Sequence, residues 1–74
     1  MPRLQVEITV DPWYPETHVL VKVYSRGKVY ALRRVGCIDS ASPKHYHGEA
    51  IYRWKHYRND FIPYNEATGC FIRA

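Results

Sequence analysis

Apolar and polar positions alternate at the start of the chain, where Leu4, Val6, Ile8 and Val10 are interleaved with Arg3, Gln5, Glu7 and Thr9. A period of two places one set on each side of a strand, so residues 3–10 read as a half-buried β-strand. Asp11-Pro12 ends it, and the prolines of DPWYPETH keep that stretch out of regular pairing. HVLVKVY and KVYALRRV are β-branched runs separated by SRGK, with Gly27 supplying the unusual backbone angle of a tight turn. A turn at Arg26-Gly27 sets a register: Tyr24 opposite Val29, Val23 opposite Tyr30, Lys22 opposite Ala31, Val21 opposite Leu32 and Leu20 opposite Arg33. One face of this hairpin carries Val19, Val21, Val23, Tyr30 and Leu32 and is the core face. The other carries His18, Leu20, Lys22, Tyr24, Val29 and Arg33 and reads as a mixed face left to solvent.

The period changes after Gly36. IDSASPK reads as a loop that closes with a helix start, Ser42 capping and Pro43 in the first helical position. The helix is expected to reach Asn59 or Asp60. At about 100° per residue, Tyr46, Ala50, Trp54, Tyr57 and Phe61 form one stripe, with His47 and Ile51 at its margin. The opposite side holds His45, Tyr52, Lys55, His56 and Asn59. ATGCFIRA reads as a short last strand, at a sheet edge or beside the first strand. Residues 1–74 are thus expected to form a single α+β domain in two layers. Its elements run βββαβ, and one amphipathic helix crosses one face of a small antiparallel sheet.

Charge adds a second pattern. The net charge of +4 conceals nine Lys/Arg against two acids in residues 22–58, a local excess of +7, between mildly acidic ends. A positive middle suits an acidic partner, either an acidic protein surface or nucleic acid. The two cysteines, Cys37 and Cys70, are too few for a disulfide scaffold and read as reduced thiols of a cytoplasmic protein. MPRLQVEITV alternates where a secretory signal needs an unbroken apolar run, and no segment is apolar enough to cross a membrane.

Catalytic and metal chemistry find little support in the residues. His45 and His47 are two apart and diverge on a helix, while His45 and His56 share a face about 16 Å apart. No CxxC or HxxxH spacing occurs, no glycine-rich phosphate loop is present, and neither cysteine has a flanking nucleophile motif. The expectation is therefore a non-enzymatic protein with no metal, no cofactor and no small-molecule substrate.

Three surfaces remain as candidate contact sites. Trp13 and Tyr14 lie on a proline-stiffened loop, a good setting for interface anchors because little entropy is lost on binding. Lys22, Tyr24 and Arg33 lie with Leu20 on the outer sheet face. Lys44, Tyr52, Lys55 and His56 lie on the outer side of the helix, where cations beside aromatics suit phosphates or an acidic surface. Charge reversal at Lys55 and Arg33 is expected to weaken binding and leave the domain folded. The size, the basic run from Lys22 to Arg58 and the loop aromatics Trp13 and Tyr14 resemble small phage-encoded regulators of host enzymes, such as inhibitors of bacterial RNA polymerase and anti-CRISPR proteins. That resemblance implies a protein that acts in the host cytoplasm and blocks a macromolecular machine by docking on it, RNA polymerase and transcription being the named candidates. The other reading is a small DNA- or RNA-binding protein that uses the positive 22–58 region on phosphates.

Overall fold

The structure, a computed structural model, describes residues 4–36 and 43–72, with the side chains of Pro43 and Lys44 outside that description. Strands β1 (Gln5–Val10), β2 (His18–Ser25) and β3 (Lys28–Val35) form an antiparallel meander. Helix α1 (Pro43–His56) follows, then a single 3₁₀ turn (Arg58–Asp60), β4 (Ile62–Asn65) and β5 (Cys70–Phe71). The sheet order is β1-β2-β3-β4-β5, and every pairing is antiparallel. The α+β class, the single sheet and the helix across one apolar face are as expected.

The β2–β3 register agrees with expectation at all the pairs named above, from Leu20↔Arg33 to Tyr24↔Val29. The turn is sharp enough that Arg26 and Gly27 both take positive φ, 52° and 76°. Arg26 is held there by the strand pairing on both sides, and Gly27 adopts it without steric cost. Between the helix and the sheet, Val19, Val21, Val23, Tyr46, Ala50, Trp54 and Phe61 form the main core, with Leu4, Val6, Ile8, Tyr30 and Leu32 packed around them.

Three features differ from the expected path. The helix stops at His56, because Tyr57 takes φ −132° and ψ 48° and leaves the helical progression. Tyr57 therefore leaves the apolar stripe and is exposed, while the 3₁₀ turn returns Phe61 to the core. The chain also has one more strand than expected. Pro63 sits inside β4, where only its carbonyl is needed, accepting the Ile72 N–H at 2.8 Å. Residues 67–69 of the expected last strand belong to a turn, and β5 takes the sheet edge beside β4 and not β1. The Ser42 cap and the connection through residues 37–42, including Cys37, lie outside the described residues.

The third difference is the fate of the second sheet face. β4 pairs with β3 only at Tyr30↔Pro63 and Ala31↔Ile62, and the β4–β5 hairpin then folds over the sheet. Tyr64 is buried with Leu20 and Ala31, with Val29 and Phe71 packed against them. Glu66 reaches across β3 to β2, accepting a hydrogen bond from the Tyr24 hydroxyl at 2.8 Å and one from Lys22 at 3.4 Å. The face expected to be left to solvent is thus a second, smaller core.

Candidate docking surface

Asp11 organises the loop after β1. It is 0 % exposed. Its Oδ1 accepts the Trp13 backbone N–H at 2.8 Å, and its Oδ2 accepts Arg33 Nε at 2.9 Å. A buried carboxylate requires such partners. The loop closes through the Tyr14 carbonyl, which accepts the Thr17 and His18 N–H groups at 3.2 and 2.9 Å. Arg33 also stacks, its guanidinium carbon 5.3 Å from the Tyr14 ring centre and 4.8 Å from that of Phe71. The Trp13 indole N–H donates to the Gly69 carbonyl of the β4–β5 turn at 3.3 Å.

The result is a pair of large aromatic side chains held on a fastened loop. Trp13 is 61 % exposed and Tyr14 50 % exposed. At that exposure Trp13 is a surface side chain and not part of either core. Sequence reasoning found both aromatics but missed Asp11 and Gly69, which hold Trp13, and Phe71, which stacks with the Arg33 that lies over Tyr14. The signal for Asp11 is a short acceptor two residues before Trp13, the spacing at which a side chain can take a loop N–H. Gly69 and Phe71 come from the far end of the chain and carry no such local signal.

The outer sheet face does not form the expected contact surface. Leu20 is buried. Lys22 is bridged to Glu7 at 2.8 Å and to Glu66 at 3.4 Å, and Tyr24 donates to Glu66. Burial lowers the Lys22 pKa, but the hydrogen bond to Glu7 and the further pull of Tyr24, Glu7 and Glu66 outweigh it and leave it raised. Arg33, expected to be a surface cation whose reversal the fold tolerates, is the partner of a buried carboxylate.

The positive middle is partly neutralised in the same way. Arg34 pairs with Glu49, and Arg53 bridges Glu49 at 3.4 Å and Asp60 at 3.3 Å. Charges segregated along the sequence are therefore interleaved in space. Among the described residues, Arg26, Lys28, Lys55 and Arg58 make no ion pair.

Glu49 gives this network a pH signature. The Arg34 hydrogen bond holds its carboxyl below the ordinary value of 4.5, against partial burial, with the charges of Arg34, Arg53 and His45 adding to the effect. A depressed carboxylate stabilises the fold fully above its unfolded value and loses that contribution as pH falls through its folded value. Glu49→Gln is expected to cost about 1–2 kcal/mol at neutral pH, the worth of a charge-assisted hydrogen bond. It should also flatten the decline of Tm below the ordinary value of 4.5. Thermal melts from pH 3 to 7 check this, and parallel wild-type and variant curves would contradict it.

On the helix, Tyr52, Lys55 and His56 are exposed, and the Lys44 side chain lies outside the described residues. Tyr52 gathers His56 and Tyr57 at ring-centre distances of 4.5 and 6.1 Å, with Lys55 nearby in sequence. Arg58 instead lies over the Trp54 ring at 4.2 Å. His45, His47 and His56 are all exposed, and among the described residues no group of three or more His, Cys, Asp or Glu side chains is placed to hold a metal ion. Cys70 is an exposed thiol on β5. No helix among the described residues is long and apolar enough to cross a membrane. Compared with protein-family models, curated proteins and solved structures, the chain gives no match.

Proposed function

We propose that this chain is a non-enzymatic docking protein whose contact surface centres on Trp13 and Tyr14, and whose partner is a protein surface carrying acidic groups. The observation that carries this reading is the exposure of both aromatics on a loop fastened at Asp11, Arg33 and Gly69. Anchors already held in place lose little rotamer and loop entropy when they are covered, which is the condition under which aromatics become hot spots. The net positive charge steers the domain toward acidic surfaces without supplying most of the affinity. Such a protein acts by occlusion, and RNA polymerase is the first machine to test.

The second reading, contact with nucleic acid, draws on the cluster of Tyr52, His56 and Tyr57, with the exposed Lys55 adjacent to His56 in sequence. Stacking rings beside cations suit single strands. Pull-down from lysate with and without nuclease, followed by titration against salt, separates the two. Docking predicts that the partner survives nuclease, that Trp13→Ala weakens binding more than about tenfold with Tm unchanged, and that salt mainly slows association. A log–log salt slope steeper than about −4 with a silent Trp13→Ala would favour phosphate contacts and sink the docking reading.

A further inference from the structure

We infer that the outer edge of β1 is a self-association site, at which a second copy of this chain adds its own β1 antiparallel about a two-fold axis through Ile8. The argument begins with which backbone groups face outward. The Asp11 N–H donates to the His18 carbonyl at 3.3 Å, in line with the β1–β2 register that pairs Val10 with Val19. In an antiparallel ladder hydrogen-bonded pairs alternate with non-bonded ones. Thr9, Glu7 and Gln5 therefore turn their N–H and C=O groups toward β2, and Val6, Ile8 and Val10 turn theirs away from it. The next strand agrees, since the Gly36 N–H donates to the Thr17 carbonyl at 2.9 Å and so assigns the odd residues of β2 to β3. Among the described residues no strand pairs with this outward row.

Nothing in β1 guards that edge. Gln5–Val10 contains no proline and no lysine, and its register with β2 runs without a bulge. Natural edge strands usually carry one of these devices against pairing. Its only charge, Glu7, is already bridged to Lys22.

Side chains then select a copy of the same strand and fix the register. Opposed residues point to one face, so the two-fold axis must pair core-side positions with core-side positions. Centring on Glu7 would set two carboxylates against each other. Centring on Val6 would leave Val10 unpaired. Centring on Ile8 sets Val10, which is 42 % exposed, against Val6 of the second copy, and sets Glu7 against its Thr9. Ile8 meets its own equivalent, and about six backbone hydrogen bonds form. An isologous contact of this kind closes on itself as a dimer.

The register makes signed predictions. Thr9→Lys places an ammonium opposite Glu7 of the second copy and should tighten the dimer. Thr9→Glu sets like charges there and should loosen it, each by about three- to tenfold over the two equivalent pairs. Val10→Pro removes an outward N–H and should abolish association, while the β1–β2 bonds of the odd residues persist. Sedimentation equilibrium from micromolar to millimolar concentration reads the constants, and circular dichroism checks that each variant is folded. Hydrogen exchange supplies a test that needs no variant: the Val6, Ile8 and Val10 amides should gain protection as the concentration rises. A wild-type chain that stays monomeric throughout, or Thr9 variants that leave the dimer constant unmoved, would overturn the inference.

Discussion

Replacing Trp54 by alanine should leave the chain largely unfolded at room temperature. The ring is buried at the centre of the helix–sheet core, 5.3 Å from Tyr30 and 5.3 Å from Phe61, which meets it edge-on. Arg58 caps its outer side at 4.2 Å. Deleting an indole from such a site costs about 3–5 kcal/mol in lost transfer energy and residual cavity. Domains of this size lie toward the lower end of the roughly 5–15 kcal/mol range of folding stabilities, so little remains. Urea denaturation followed by circular dichroism measures the loss, and Trp54→Phe should retain a cooperative transition at a lower midpoint. A Trp54→Ala chain that melts like the wild type would place the indole outside the core.

Arg33→Glu should be nearly as damaging, and for an electrostatic reason. It replaces the cation facing a fully buried Asp11 carboxylate by an anion and removes the guanidinium stacked on Tyr14 and Phe71. Breaking one side of a buried pair typically costs about 3–5 kcal/mol because the remaining charge is left without a partner. Arg33 is itself partly exposed, so the lower end of about 3 kcal/mol is expected. Lys55→Glu, on the exposed helix side, should change stability by less than about 0.5 kcal/mol. A double-mutant cycle with Asp11→Asn and Arg33→Gln isolates the coupling, and the double variant should be more stable than the sum of the singles implies. Additive losses would show that the two side chains do not act as a pair.

Local rules carried most of the fold. The register of β2 and β3 could be read from Gly27 and the alternation around it, because turn geometry and a buried face leave few pairings open. The stripe of Tyr46, Ala50, Trp54 and Phe61 was readable because it repeats with the helical period. Where residues distant in sequence decide the outcome, local rules stop. Tyr57 fits the helical stripe, but the chain turns just before it. Pro63 lies just beyond the expected helix, and only the β5 partner shows why it is tolerated in a strand. The candidate site divides in the same way. Trp13 and Tyr14 were visible as aromatics on a stiff loop, whereas their distant tethers come from Gly69 and from Arg33, which Phe71 backs. The outer-face residues Lys22, Tyr24 and Arg33 looked exposed because alternation along one hairpin cannot reveal that another hairpin will lie on it.

That covering hairpin also imposes an order in time. Synthesis delivers β1, β2 and β3 first and residues 62–72 well after them. Until those residues leave the ribosome, Leu20 and Ala31 lack the Tyr64 and Phe71 side chains that cover them, Tyr24 lacks Glu66, and the Trp13 indole lacks the Gly69 carbonyl. A nascent chain halted before residue 62 has the strands of the meander but neither the second core nor the tether on Trp13. The complete set of tethers on the loop therefore belongs to chains translated through the hairpin, and the fold itself separates copies that carry residues 62–72 from copies interrupted before them.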